Sequence, residues 1–428
     1  MESNSPERPI EQLLVIGTGC AGVETALAAR SEGWQGGITL IGDEHDLPYH
    51  RPPLSKGYLA GTTSRDALSQ RTLATFENAD IHLYLGVRIT AIDRCARSVS
   101  LTDGTCLPYD RLVLATGGKP RTLGGLDHQR IANLHYLRTT EHADRLRSAL
   151  MPGHRLIVIG GGYIGLEVAA TAIKAGLEVT ILESAPRVLA RVTAPVLSQF
   201  YEDVHRGHGV NIRTSEQITH FELDETSMAI RAIHCLDGTR LPADLVVIGI
   251  GLEPNIELAA TAGLEVQDGI VVNTTMQTAD ARIYAAGDCA RSVSTLYERS
   301  VRVESVPNAL EQARKIAALL NGKIPRPDGP PWFWSDQYDL SLKMVGLSAG
   351  YDQLVIRGSV VDRSFCAFYL QNERILAVDT VNRAVEFNLS KRLIALQTPV
   401  DPVQLADDAV PFKDLVNRYL ASITPTQP

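Results

Sequence analysis

Two glycine runs carry the chemistry of this sequence. Leu13–Gly22 reads LLVIGTGCAG and sets Gly17, Gly19 and Gly22 in a G-x-G-x-x-G; Leu156–Gly165 reads LIVIGGGYIG and sets Gly160, Gly162 and Gly165 in a second. Glycines at this spacing allow a tight turn, close approach of backbone to a pyrophosphate and close packing of the helix that follows. The phosphates then meet a helix N-terminus, where free N–H groups and the helix dipole favour an anion. A carboxylate about 20 residues on completes such a site by accepting hydrogen bonds from the ribose. Asp43, in LIGDE, answers to the first run, with Glu44 beside it; Glu183, in VTILE, answers to the second. A carboxylate at 183 repels a 2′-phosphate and so favours NADH over NADPH, while Arg187 is of the type that accommodates one. Two dinucleotide units in one chain are explained by two cofactors meeting, with hydride passing from nicotinamide to flavin. A duplicated scaffold without cofactors is the bland alternative.

These residues need strands before them and helices behind. Each run opens with an apolar stretch and continues into an Ala-rich helical one, Val23–Arg30 and Leu166–Ala175. A second matched pair follows: Asp103–Gly117 reads DGTCLPYDRLVLATG, and Asp237–Gly251 reads DGTRLPADLVVIGIG. The chain is therefore a diverged duplication, each copy closing with a hairpin and a buried strand that ends at glycine, Gly117 or Gly251. Strands alternating with helices imply parallel sheets covered on both faces. Leu245–Ile250, apolar throughout, predicts a buried parallel strand. Ile283–Asp288 (IYAAGD) predicts another, and Asn308–Leu320 a helix. Pro325–Pro331 marks a boundary. Beyond it, Gln353–Arg357, Phe365–Leu370 and Ile375–Thr380 alternate like strands, and Lys413–Leu420 suggests a late helix. The fold class is α/β, with two Rossmann-like dinucleotide-binding domains and a C-terminal α+β domain.

Bulk properties limit the function. At 428 residues the chain holds two to four domains. A net charge of −8 argues against a general nucleic-acid binder. No apolar run approaches the roughly 18 residues of a membrane span. Met1–Pro9 is polar, without a secretory h-region, so a cytoplasmic address is expected. The cysteines, Cys20, Cys95, Cys106, Cys235, Cys289 and Cys366, have neither disulfide-framework nor zinc-site spacing. They read as scattered, reduced, mostly buried thiols. No metal is implied.

Three further segments are more specific: PYHRPPLSKG at Pro48–Gly57, RVESVPNA at Arg302–Ala309 and PWFWSDQY at Pro331–Tyr338. Through them the chain resembles the FAD-dependent ferredoxin reductases of oxygenase systems, from Leu13 to about Lys413. The resemblance implies a glutathione reductase-like fold. FAD would take 1–118 and 249–330, NAD 119–248, and an interface domain 331–428. Ala21 and Asp43 would contact the adenosine and pyrophosphate half of FAD, and Val87 the adenine. Thr116 and Gly117 would lie near the phosphates, with Ala115, Arg51 and Arg138 as further FAD contacts. Asp288 would hold a ribityl hydroxyl and Val306 would reach the ring. Lys56 would sit beside the flavin with Glu167 as its partner, where a cation stabilises the charge gained on reduction. Trp334 would lie near the flavin and the nicotinamide path. Tyr163 would gate the flavin face, with Ile164 beside it. Hydride transfer would need a separation of roughly 3–3.5 Å. Electrons would then pass singly to a [2Fe–2S] ferredoxin, and through it to a terminal oxygenase, a haem monooxygenase or else a Rieske dioxygenase. Arg314, Lys343, Lys391 and Lys413 would meet the acidic ferredoxin. Disulfide and peroxide reductases of this fold carry a cysteine near the flavin, but Pro52–Gly57 has none, so a thiol relay is not expected. A flavin NADH oxidase and a redox-sensing flavoprotein of the apoptosis-inducing-factor type are the rival readings.

Overall fold

The computed structural model describes residues 11–423 apart from 125, 127–129, 225 and 227. The Met1–Pro9 stretch lies outside the described residues. The chain divides into two compact units. The first comprises Met1–His50, Leu68–Lys119 and Glu253–Asp328; the second comprises Arg51–Ala67, Pro120–Leu252 and Gly329–Pro428.

The first unit is built on a five-stranded sheet in the order Ile283–Ala285, Arg111–Leu114, Gln12–Ile16, Gly37–Ile41, Ile81–Tyr84. Every neighbouring pair is parallel. Leu13, Leu14 and Val15 are fully buried, as a strand covered on both faces must be. Each such side chain contributes about 1.5–3 kcal/mol by leaving water. The helices Cys20–Glu32 and Val306–Leu320 pack on this sheet and on each other through small residues.

The second unit repeats the plan. Its parallel sheet runs Asn211–Arg213, Glu178–Leu182, Arg155–Ile159, Leu245–Ile248, Leu134–His135. Arg155–Ile159 therefore occupies the place that Gln12–Ile16 holds in the first copy. The fifth strand differs in origin: it comes from later in the chain in the first sheet and from earlier in the second. The apolar run at 245–250 forms a strand only as far as Ile248, because Gly249 and Ile250 turn into the glycine loop.

The same unit holds an antiparallel sheet in the order Trp332–Gln337, Leu340–Gly346, Arg374–Val381, Ser364–Gln371, Gln353–Ser359. Helices Ala384–Leu396 and Phe412–Ile423 complete the C-terminal part. One apolar core contains Val158, Leu166, Tyr201, Leu342, Phe365 and Tyr369, so this sheet shares its interior with the second nucleotide fold. Among the described residues, no helix is long and apolar enough to cross a membrane.

Candidate functional site

At the first glycine turn, two of the three positions exclude any side chain. Gly17 has φ +113°, and a Cβ there would collide with the Ala115 carbonyl; a Cβ on Gly22 would collide with the Gly17 carbonyl. At Gly19 a Cβ would meet nothing within 4 Å, so the backbone is open to a ligand on that side. Helix Cys20–Glu32 starts there with no side chain capping its first N–H groups. Those donors suit a pyrophosphate, and the turn fits a dinucleotide.

The neighbouring positions assemble around this turn. Ala115 N donates to Ile16 O at 2.8 Å. Thr116 is locked to Asn255: its Oγ1 donates to the Asn255 carbonyl at 2.7 Å, and Asn255 Nδ2 returns a bond to Thr116 O at 2.8 Å. Gly287 lies so near Ala21 that a Cβ on it would stand 3.0 Å from the Ala21 methyl, which brings Asp288 beside the turn. Gly287 N donates to Gln312 Oε1 at 2.8 Å, and Arg302 Nη1 donates to the Asp288 carbonyl at 3.2 Å. Val306 opens a helix capped by Ser305. Asp43 pairs with Arg88 at 3.2 Å, both exposed, so that pair is worth little. Val87 N donates to Gly42 O at 2.9 Å, one residue from Asp43.

The second cradle has the same logic. A Cβ on Gly160 would collide with the Gly249 carbonyl and one on Gly165 with the Gly160 carbonyl, whereas at Gly162 the nearest atom is 4.0 Å away. Helix Tyr163–Lys174 starts without a side-chain cap. Glu183 lies at this turn: Oε2 accepts from Gly161 N and Oε1 from Ala185 N, both at 2.8 Å. Arg187 donates to Ser198 Oγ at 2.5 Å, on helix Pro195–Gly207, and to Ala190 O at 3.0 Å in its own loop. The carboxylate thus lies at the second glycine turn while the arginine is engaged elsewhere, an arrangement that would suit NADH better than NADPH. Gly251, φ +114°, lies next to Arg191, whose Nη2 is 3.6 Å from where its Cβ would be. Ile164 is 44 % exposed. The Tyr163 hydroxyl donates to Met344 Sδ at 2.7 Å, and its ring packs on Phe333 at 5.1 Å.

Lys56 and Glu167 meet in the second unit. Lys56 Nζ is 2.8 Å from Glu167 Oε2, with side-chain exposures of 22 % and 1 %. Ser55 Oγ donates to Oε2 at 2.5 Å and Ser335 Oγ to Oε1 at 2.6 Å, so the buried carboxylate is fully satisfied. Neither serine was foreseen. Ser55 stands directly before Lys56 and Ser335 directly after Trp334, and that adjacency was the available signal. Trp334 is half-buried, with Trp332 at 5.8 Å and Phe333 at 6.1 Å. Arg51 Nη1 donates to the Arg138 carbonyl at 2.8 Å.

The positions expected for FAD fall into two groups. Arg51, Lys56, Arg138 and Trp334 belong to the second unit and the rest to the first. Of the expected docking cations, Arg314 belongs to the first unit and donates to Glu24 at 2.6 Å. Lys343 and Lys391 share the Phe387 ring at 5.6 and 4.3 Å, and Lys391 also covers Trp332 at 4.4 Å. Burial, and then Lys343, holds the Lys391 ammonium below its usual pKa. Lys413 is exposed on the last helix.

The thiols are less buried than expected. Cys235, Cys289 and Cys366 are buried and Cys20 half-buried, but Cys95 and Cys106 are exposed, because Cys95 lies in the turn between strands Ile89–Asp93 and Ser98–Leu101 and Cys106 on the edge strand Cys106–Pro108. Burial pushes the Cys235 thiol up to about 11, which makes it a poor nucleophile. Cys235, Glu216 and Asp237 have ligand spacing, but Arg213 ion-pairs with both carboxylates at 2.7 Å.

Comparison with known proteins agrees with this geometry. Residues 11–313 match the pyridine nucleotide-disulphide oxidoreductase family, and residues 332–416 match the reductase C-terminal family. The chain is 55 % identical to putidaredoxin reductase of Pseudomonas putida over 418 residues, covering 97 % of this chain and 99 % of that protein. It is 41 % identical to rhodocoxin reductase of Rhodococcus erythropolis over 407 residues, 95 % of each. The crystal structure of a covalent putidaredoxin reductase–putidaredoxin complex superposes with a TM-score of 0.94 at 55 % identity, over 96 % of this chain and 99 % of that one.

Proposed function

We propose that this chain, which belongs to the pyridine nucleotide-disulphide oxidoreductase family, is an FAD-dependent NADH:ferredoxin reductase serving a cytochrome monooxygenase in the cytoplasm. The observation that carries the reading is the pair of glycine cradles, each open at its middle glycine, in a chain 55 % identical to putidaredoxin reductase over nearly its whole length. In this assignment residues 1–118 and 249–330 bind FAD, 119–248 bind NADH, and 331–428 form the interface domain. When bound, NADH supplies a hydride, and FAD converts that two-electron input into single-electron output to a [2Fe–2S] ferredoxin.

The chain's residues supply orientation and charge. The N–H groups that open helices Cys20–Glu32 and Tyr163–Lys174 hold the two pyrophosphates. Asp43 and Glu183 accept from the riboses. Ala21, Val87, Ala115, Thr116, Gly117, Asp288 and Val306 line the FAD side, and Ile164 and Gly251 the nicotinamide nucleotide. Lys56 presents a cation to the flavin, and Glu167 fixes where it points. A flavin that gains negative charge is stabilised by such a preorganised group at no reorganisation cost. Arg51 and Arg138 support the same ligand, Tyr163 gates nicotinamide entry, and Trp334 lies on the electron path. Arg314 of the first unit and Lys343, Lys391 and Lys413 of the second are the cations offered to an acidic ferredoxin.

The test is NADH-driven cytochrome c reduction by the purified yellow protein, with and without a putidaredoxin-like [2Fe–2S] ferredoxin, repeated with NADPH. Strong stimulation by ferredoxin with NADH alone is expected. Flavin bleaching by NADH with no response to ferredoxin would overturn the acceptor and favour an oxidase.

A further inference from the structure

The antiparallel sheet of the second unit carries a buried acid that the proposed reaction does not use. Asp379 lies on strand Arg374–Val381, is 4 % exposed, and accepts from the Tyr369 hydroxyl at 2.6 Å. Tyr369 lies on the adjacent strand, and the pairing of Ala367 with Asp379 places the two side chains diagonally on one face. The phenol oxygen is also an acceptor: Ala194 N donates to it at 2.8 Å.

Ala194 ends the segment that frames the second cradle. Within it, Glu183 grips Gly161 N, Leu189 N donates to the Gly161 carbonyl at 2.9 Å, and Thr193 N donates to Leu189 O at 3.1 Å. Hydrogen bonds run from Asp379 through Tyr369 to Ala194, and from there the backbone of 189–194 with its own hydrogen bonds reaches the glycine turn. Met344, paired directly opposite Asp379 on the neighbouring strand, receives the Tyr163 hydroxyl. One sheet face therefore holds both the first residue of the cradle helix and the last residue of the loop beside it.

We propose that Tyr369, held by Asp379, is a positioning residue for the NADH site, setting the 183–194 segment against the glycine turn. This rests on the second cradle being the NADH site. A buried N–H with its acceptor is matched to one geometry: the phenol oxygen accepts from Ala194 N, so when it is removed the segment shifts to find another acceptor or the N–H stays unsatisfied.

The experiment is stopped-flow bleaching of the flavin in the holoenzyme over a range of NADH concentrations, for wild type, Tyr369→Phe and Asp379→Asn. Tyr369→Phe keeps the ring and loses the hydroxyl. Its NADH Kd should rise about five- to tenfold with the limiting bleaching rate within about twofold of wild type, the loss of roughly one hydrogen bond. Asp379→Asn, whose amide oxygen still accepts from Tyr369, should keep Kd within about twofold. An unchanged Kd in a less stable Tyr369→Phe, or equal weakening in both variants, overturns the proposal and leaves a merely structural role. If Tyr369→Phe does not fold, hydrogen exchange on the wild-type holoenzyme decides. NAD⁺ should slow exchange in 183–194 and in strand Ser364–Gln371 together; slowing confined to 183–194 overturns the proposal. Failure of NADH to bleach the wild-type flavin would instead refute the proposed function itself.

Discussion

Glu167→Gln removes one negative charge from a site where three donors converge on it. The ammonium of Lys56 and the hydroxyl of Ser55 lie on one oxygen, and the hydroxyl of Ser335 on the other. Hydrogen bonds to charged groups are worth about 1.5–3 kcal/mol each, and removing one member of a buried pair costs about 3–5 kcal/mol. Lys56 is 22 % exposed, so water recovers part of its loss. Glutamine also keeps one acceptor. If that oxygen serves Lys56 and Ser55, its NH₂ points at Ser335. Ser335 already accepts from Gln337 Nε2 at 3.1 Å, so turning to accept from glutamine leaves its own hydrogen without the carboxylate. The loss should be about 2–4 kcal/mol for Glu167→Gln, and larger for Glu167→Ala, which adds a cavity. Urea unfolding followed by tryptophan fluorescence measures it. The double variant Lys56→Met/Glu167→Leu fills the space without charge and should recover part of the stability, because no ammonium is left unpaired, although Ser55 and Ser335 still lose their acceptor. It should still bleach its flavin more slowly with NADH than wild type does, because stability and cation placement are separate tasks. A Glu167→Gln protein within about 0.5 kcal/mol of wild type would refute the reasoning, since that is the scale of an ordinary surface substitution.

Two other outcomes follow from the geometry. Glu183→Ala should raise KM for NADH by about ten- to hundredfold, the loss of charge-assisted ribose bonds. It should not prefer NADPH, because Arg187 is held by Ser198 and Ala190; steady-state kinetics with both nucleotides checks this, and an outright NADPH preference would sink it. Burial raises the Asp379 carboxyl from 3.8 to about 7, against the Tyr369 hydrogen bond. A raised folded pKa means that the stability is fully present below about pH 4 and is lost as pH rises through about 7. The loss is roughly 4 kcal/mol over that window. The stability of wild type minus that of Asp379→Asn should therefore fall between pH 4 and 8. A flat difference would refute it.

The two cradles were legible in the sequence because their requirements are local. Gly17 and Gly160 need positive φ, and a Cβ on Gly22 or Gly165 would meet the carbonyl of the same turn's first glycine, so residue type and spacing along one strand–turn–helix unit carry the signal; the Ala115 and Gly249 carbonyls behind Gly17 and Gly160 only add to it. The duplication was legible for the same reason, since a parallel βα repeat prints its pattern twice. Lys56 and Glu167 were found through the likeness of PLSK and the second fingerprint to a family, with no spacing rule behind them. Their partners were decided by tertiary structure: Ser55 and Ser335 lie 112 and 168 residues from Glu167. The lock of Asn255 on Thr116 and the bond from Ala194 to Tyr369 likewise join residues 139 and 175 positions apart. A glycine turn is dictated by its own backbone. A buried carboxylate is instead completed by whichever strands the fold brings to it, and that choice belongs to packing of the whole unit.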